Sequence, residues 1–281
     1  MSAPRRLALL VAYDGGPFHG YQRQHGFPTI QSELEDAWAA VSAETVTMIG
    51  SGRTDTGVHA MGQVVHFDTW SRLPEVRIVK ALNAYLPDEI VVRAAREVAP
   101  DFHANRSALA KRYFYFLQVS EMRPVWSTGR ATWERRPRLD LAAMREAGHH
   151  LLGRHNFASF AAAGRTTVSD VRTLQAIHFV PLRHGMVIAF QGDGFLYKMV
   201  RNLVGSLLEV GRGKWGPAWI RQVLEAEDRK RAAATAPPEG LYLGRVIYPD
   251  PPFFIQRGRF TALPRLNLAS NPVIEGRESL D

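Results

Sequence analysis

The sequence contains no cysteine, which excludes disulfide bonds and thiolate metal sites. It also has no apolar run near the roughly 18 residues that a transmembrane helix requires. The apolar segment at residues 7–13 is too short, and ends wrongly, for a signal peptide. We therefore expect a cytoplasmic protein without a membrane anchor.

Metal-ligand patterns are absent as well. His59 and His66 are seven residues apart, a spacing that suits no common zinc site, and no acidic cluster accompanies them. The sequence therefore predicts no metal site.

Positive charge is what the sequence has in excess. Its 281 residues include 35 Lys and Arg against 27 Asp and Glu, giving a net charge of +8. This balance favours a polyanionic partner such as nucleic acid, although only slightly over a basic enzyme with a solvated surface. The length and the 46% hydrophobic content allow one large or two medium domains.

Strand and helix patterns alternate along both halves of the chain. Ile30, Leu34 and Trp38 recur at helical spacing after a capping Thr29. We predict strands at residues 7–13, 63–67, 90–98, 111–119, 172–180, 185–191 and 241–248, and helices at residues 74–86, 140–152 and 195–210, with another from Pro217. The fold class is therefore α+β, with two similar lobes (1–100 and 101–249) packed together and a proline-rich tail (250–281) with little structure.

The segment from Arg53 to Ala60 carries the most informative carboxylate. Asp55 precedes Gly57, so an ordinary turn is one interpretation. A nucleophile that needs no cofactor is another, because Arg53 can supply a positive charge nearby. An aspartic-protease site would need a second Asp-Thr-Gly or Asp-Ser-Gly, which the sequence lacks.

Two further segments combine cations with aromatic residues. Tyr113 follows Lys111 and Arg112 in a strand, where it can either join the core or stack on a nucleobase. Arg201 lies in a strongly apolar helix, and a buried arginine requires a carboxylate partner. Asp55 is the candidate partner.

These segments together resemble the TruA family of tRNA pseudouridine synthases. The resemblance covers most of residues 7–248, and its markers are residues 13–15, 22–24, 52–60, 101–104, 111–115, 199–205 and 240–243. It implies the pseudouridine synthase fold, in which mainly antiparallel sheets are joined around a central cleft. It also implies a homodimer without cofactor or metal, and conversion of uridine to pseudouridine at nucleotides 38 to 40 of the tRNA anticodon stem-loop.

The resemblance also implies roles for individual residues. Asp55 would be the nucleophile, Tyr113 would lie against the target uracil, and Arg201 would pair with Asp55. Arg53 would help to extrude the base. Further RNA contacts are expected from Arg23, His59, Lys111, Arg112, Lys198 and Arg212.

Two alternatives from other classes stay open on sequence grounds. A non-catalytic tRNA-binding chaperone would use the same basic cleft without chemistry. A glycosidic hydrolase would use Asp55 as its nucleophile, but would need a second carboxylate about 5 Å away.

Overall fold

One continuous sheet of ten strands runs through both halves of the chain in the computed structural model, which describes residues 3–135, 138–164 and 169–253. The strands are β1 (Arg5–Tyr13), β2 (Ile49–Gly50), β3 (His59–Thr69), β4 (Ile90–Val98), β5 (Ala110–Val119), β6 (Thr132–Glu134), β7 (Gly153–Asn156), β8 (Val171–Leu182), β9 (Gly185–Gly192) and β10 (Leu241–Ile247). Their order across the sheet is β4-β1-β3-β10-β5-β9-β8-β7, while β2 pairs with β3 and β6 with β5.

Five α-helices accompany the sheet within those described ranges: α1 (Ile30–Ser42), α2 (Glu75–Tyr85), α3 (Leu141–His149), α4 (Met199–Gly211) and α5 (Ala218–Ala226). Most strand pairs are antiparallel, and β3 with β10 and β5 with β6 are parallel. The predicted α+β class with a mainly antiparallel sheet is confirmed.

The first helix forms for the reasons that its sequence indicates. The Thr29 side chain accepts a hydrogen bond from the Ser32 amide, and the Ser32 hydroxyl accepts one from the Thr29 amide. This reciprocal capping satisfies donors that the first helical turn leaves free. Ile30, Leu34 and Trp38 are fully buried, as their spacing predicts.

Two predicted helices are longer in the sequence pattern than in the structure. The helix predicted from residue 195 begins at Met199, because Lys198 has a left-handed backbone with φ +58° that a helix cannot continue through. The helix predicted over residues 140–152 begins after its cap Asp140 and ends at His149. Residues 195–198 are therefore free to line a cleft.

The closing strand joins the two halves. β10 lies between β3 and β5, parallel to the first and antiparallel to the second. In the register of the sheet, Leu243 of β10 is paired with Ala60 of β3 on one side and with Tyr113 of β5 on the other. Strands lie about 4.8 Å apart, so this pairing brings the start of β3 within roughly 10 Å of the middle of β5. A lobe boundary near residue 100 stays a prediction.

The sheet is apolar on both faces at its centre. Tyr113 and Tyr115 of β5 join the main core, while Phe114 packs on the other face with Val187 and Ala189. Residues 249–253 form neither helix nor strand, and residues 254–281 of the predicted tail lie outside the described ranges.

Candidate active site

A cleft of about 1090 Å³ opens where β3, β10 and β5 meet. Its lining includes three segments that are distant in sequence: the loop before β3, the alternating side chains of β5, and the segment from residue 193 through the first turn of α4. Asp55, Tyr113 and Arg201, the three residues predicted to carry the chemistry, all line it.

A tight turn holds Asp55 at the edge of this cleft. The Val58 amide donates a hydrogen bond to the Asp55 carbonyl at 3.0 Å, and Gly57 within the turn has φ +75°. Only glycine adopts that backbone without strain. The turn interpretation of Asp55 and the reactive one are therefore compatible, since the turn itself presents the carboxylate.

The residue before Asp55 is anchored on both its side chain and its backbone. The Thr54 hydroxyl lies 2.8 Å from the Tyr13 hydroxyl in a buried hydrogen bond, and the Thr54 carbonyl accepts from the Tyr21 amide at 3.0 Å. Gly20 packs so closely that a Cβ there would lie 2.6 Å from the Thr54 carbonyl oxygen. These contacts fix the backbone beneath the carboxylate.

A buried glutamine anchors the other end of the same loop. The Gln63 amide nitrogen donates to the Gly52 carbonyl at 2.8 Å, and its oxygen accepts from the Ser51 amide at 3.1 Å. Because Gln63 belongs to β3, the loop is tied to the sheet by side-chain bonds as well as by the chain itself.

Arg201 is the ionic partner of Asp55. Its Nη1 atom lies 2.9 Å from the Asp55 Oδ2 atom, and its Nε donates to the Ala236 carbonyl at 2.8 Å. The Arg201 side chain is 12% exposed and that of Asp55 20%, so the pair is shielded while the carboxylate still reaches the cleft. Arg53, the cation nearer in sequence, is exposed and forms no ion pair with any residue that the structure describes.

Tyr113 forms part of the cleft wall beside this pair. Its ring meets Phe195 edge-on, with centroids 4.9 Å apart, and the residue is 8% exposed. Burial, followed by the charges of Tyr13 and Asp55, raises the pKa of the Tyr113 hydroxyl well above its usual range. The phenol is therefore neutral at physiological pH, and it can donate a hydrogen bond but is not a phenolate base.

The cleft carries an excess of positive charge. Among the described residues that line it, two carboxylates, Asp55 and Asp193, face five cationic side chains: Arg53, Lys111, Arg172, Lys198 and Arg201. This excess is complementary to a polyanion such as an RNA backbone. Arg172 was not singled out by the sequence, because nothing local to its segment indicates that it folds toward the Asp55 loop.

Three other residues predicted to contact RNA lie outside the lining of this cleft. Arg112 points to the opposite face of β5 and binds the Gln191 side chain. Arg23 pairs with Glu35 and Asp36 of α1. Arg212 pairs with Glu134 and Glu209. The RNA contacts of these three residues remain predictions. Carboxylates within the protein already balance the charges of Arg23 and Arg212.

His59 is buried behind the cleft wall rather than in it. The residue is 1% exposed, and its ring stacks on Tyr242 with centroids 4.5 Å apart. Its Nδ1 accepts a hydrogen bond from the Gly15 amide, and burial lowers the pKa of the ring despite the nearby Asp14. The contact predicted between His59 and RNA therefore has no exposed surface to support it.

Among the described residues, no group of three or more His, Asp or Glu side chains could hold a metal ion. The same part of the chain contains no helix that is long and apolar enough to cross a membrane.

Comparison with known proteins identifies the family of the chain. A sequence model described as tRNA pseudouridine synthase matches residues 9–105 and 147–249. The chain belongs to the tRNA pseudouridine synthase family. Asp55 and Arg201 lie within the matched ranges and Tyr113 lies between them.

Similar proteins carry the same name over nearly their whole length. The tRNA pseudouridine synthase A of an Exiguobacterium species is 46% identical over 244 residues, covering 87% of this chain and 98% of that protein. Those of Bacillus subtilis and Blochmanniella pennsylvanica are 45% and 44% identical over 246 residues each, covering 86% and 88% of this chain and 99% and 94% of those proteins. The resemblance and the isomerase class inferred from the sequence are confirmed.

Proposed function

We propose that this enzyme converts uridine to pseudouridine at nucleotides 38 to 40 in the anticodon stem-loop of tRNA, with Asp55 as the nucleophile. The observation that carries the proposal is the Asp55 carboxylate, which Arg201 orients at 2.9 Å within a positively charged cleft. A fixed carboxylate beside a neutral tyrosine suits covalent catalysis without a group carrier.

The reaction breaks the bond between ribose C1′ and uracil N1, turns the base, and rejoins it through C5. Asp55 can add either to the sugar or to the base ring, and both routes use the same ion pair to aim the carboxylate. Tyr113 supplies a ring face for the uracil and a hydroxyl that can donate a hydrogen bond to it. The raised pKa of that hydroxyl argues against removal of the C5 proton by a Tyr113 phenolate.

Access to the cleft requires the target nucleotide to leave its stack. Extrusion of a base costs a few kcal/mol, which contacts in the pocket must offset. The exposed Arg53 lies on the same loop as Asp55 and carries no internal ion pair within the described ranges, so it is available to a phosphate. Each phosphate that the cleft neutralises steepens the salt dependence of binding by about 0.7–0.9 in log–log slope.

One assay separates the three candidate activities. The full-length enzyme is incubated with unmodified tRNA transcript, and nucleosides and free bases are measured by mass spectrometry. The proposal predicts pseudouridine confined to positions 38 to 40. Released uracil would indicate a hydrolase, and an unchanged nucleoside content with bound tRNA would indicate a chaperone.

We also propose that the enzyme works as a homodimer in the cytoplasm. An apolar loop between β5 and β6 supports the dimer, because Met122, Val125 and Trp126 are 83%, 75% and 96% exposed. Such exposure is typical of an interaction surface. Analytical ultracentrifugation tests this: the wild type should sediment as a dimer and Trp126→Ser should shift it toward monomer. A monomeric wild type would contradict the proposal.

A further inference from the structure

Lys111 is a buried cation with no carboxylate partner in the part of the chain that the structure describes. The residue is 9% exposed, and its Nζ atom donates a hydrogen bond to the Asn105 side-chain oxygen at 2.8 Å. An amide oxygen does not balance a full charge, so keeping this ammonium buried is costly. Arg172, another cation of the cleft, adds repulsion rather than relief.

The ammonium lies next to the catalytic loop. Lys111 and Tyr113 are two residues apart on β5, so their side chains leave the same face of the sheet. A Cβ built on Gly52 would lie 3.5 Å from the Lys111 Nζ atom and 3.7 Å from the Tyr113 hydroxyl oxygen. The two polar groups thus converge on one point of the loop that carries Asp55.

Lys111 and the largely shielded Arg201 differ in their partners. Arg201 has the Asp55 carboxylate at 2.9 Å, whereas the partner of Lys111 within the described ranges is the Asn105 amide oxygen. An ammonium has three N–H groups, and the Asn105 oxygen occupies one of them. The remaining donors are complementary to an anionic oxygen that arrives with the substrate or forms during the reaction.

We propose that Lys111 is a catalytic residue whose ammonium donates a hydrogen bond to a carbonyl oxygen of the target uracil and stabilises the negative charge that develops there. The inference rests on the proposed function. The burial of Lys111 beside Tyr113 favours the base over a phosphate, because a phosphate is more accessible to an exposed cation such as Arg53.

Both routes open to Asp55 place charge on that oxygen. If the carboxylate attacks C1′, N1 keeps the electron pair of the broken bond, and the charge spreads to O2 and O4. If the carboxylate adds to C6, the displaced electron pair moves through C5 to O4. In the first route, C5 then bonds to C1′ and displaces the Asp55 carboxylate. In the second, the N1–C1′ bond breaks as the C5–C1′ bond forms, and the carboxylate leaves C6 as C5 loses its proton. In both, C5 loses a proton, N1 gains one, and the base is neutral again. A fixed cation lowers the barrier in either case.

The protonation state of Lys111 gives the inference a second readout. Burial, and then Arg172, lower the pKa of the ammonium from 10.5 to about 8. Asn105 and the neutral Tyr113 face the group, and the carboxylates among the described lining residues of the cleft are Asp55 and Asp193. The charge is therefore present at neutral pH and is lost in mildly alkaline solution.

The test uses single-turnover pseudouridine formation at saturating enzyme, together with tRNA binding. Lys111→Met should lower the rate by about 10²-fold, the usual cost of losing one such donor, with the dissociation constant changed by less than about threefold. Lys111→Arg should recover part of the rate. Lys80→Met, an exposed change of equal charge on α2, should leave both quantities at their wild-type values.

The pH profile provides the check if Lys111→Met fails to fold. Wild-type kcat/KM should fall above about pH 8, and Lys111→Arg should abolish that fall because arginine stays protonated. A Lys111→Met rate within threefold of wild type would overturn the role of Lys111 but leave the proposed function intact. A weaker affinity with a salt slope lowered by about 0.7–0.9 and an unchanged rate would also overturn that role, by assigning Lys111 to a phosphate. Absence of pseudouridine with the wild type would overturn the proposed function as well.

Discussion

The Asp55 Oδ2 atom lies 2.9 Å from the Arg201 Nη1 atom, although the two residues are 146 positions apart in the chain. The bond joins the loop before β3 to the first turn of α4. Arg201 also binds the Ala236 carbonyl, which precedes β10. One guanidinium therefore ties together three segments that meet at the cleft.

Arg201→Met should lower both stability and turnover. It leaves the Asp55 carboxylate without its cation, and we expect a loss of about 1–3 kcal/mol in the free energy of unfolding, less than for a fully buried pair because Asp55 is 20% exposed. The double variant with Asp55→Asn should recover part of this loss, since an amide needs no counter-ion. Urea denaturation of the four proteins measures the coupling, and strictly additive effects would contradict the ion pair.

Tyr113→Phe should keep tRNA affinity and lower the single-turnover rate by about 10²-fold, because the ring remains while its hydroxyl is lost. The pH dependence should keep its shape, because the raised pKa of Tyr113 leaves the hydroxyl neutral over the working range. Stopped assays between pH 6 and 9 check both points. An unchanged rate would exclude any hydrogen-bonding role for the hydroxyl.

Gly57→Ala should disturb the Asp55 turn. The residue has φ +75°, and a Cβ there would lie 3.1 Å from the Pro238 ring. The left-handed backbone alone costs about 1–2 kcal/mol. Gly129→Ala is the matched control, because Gly129 has the same φ with no atom within 4 Å of the added carbon. Both variants should melt earlier, but only Gly57→Ala should lose turnover; equal turnover in the two would argue against a fixed turn.

The account also predicts an acid-sensitive contribution from His66. Its Nδ1 accepts a hydrogen bond from the Ala104 amide at 3.2 Å, and burial is the main cause that lowers its pKa from 6.5 to about 4. The unfolded chain therefore binds the proton first, so stability from this group is present above pH 6.5 and is lost as the pH falls to 4. The loss amounts to up to about 3 kcal/mol.

His66→Gln should flatten the pH dependence of unfolding over that interval, because glutamine can accept the same bond without titrating. His184→Gln, at an exposed position, serves as the control. The measurement is the free energy of unfolding at pH 7 and at pH 4.5. An equal drop between the two pH values in wild type and in His66→Gln would contradict the assignment to His66.

Much of the fold could be predicted because its local signals agree with its tertiary contacts. The period of Ile30, Leu34 and Trp38 and the cap at Thr29 give α1, and both apolar faces of β5 are evident in its sequence. The start of α4 could not be predicted, because residues 195–198 are as apolar as the helix that follows. Their departure from it depends on the left-handed backbone of Lys198, which no residue type there demands.

The residues of the site were easier to predict from the sequence than the contacts between them. The cost of burying Arg201 was enough to nominate Asp55 as its partner. Arg53, two residues from Asp55, was the nearer candidate in sequence, yet the ion pair belongs to Arg201. The approach of Lys111 to Gly52 depends on β10 bringing β3 and β5 together, and a single sequence carries no signal of that pairing.

The most direct test of the central claim is pseudouridine formation by Asp55→Asn. The amide keeps the shape of the side chain but cannot act as the nucleophile, so turnover should be abolished while tRNA binding stays within a few-fold of wild type. Asp88→Asn, an equal change of charge at an exposed position, should retain full activity. Measurable pseudouridine from purified Asp55→Asn would contradict the assignment of Asp55 as the nucleophile.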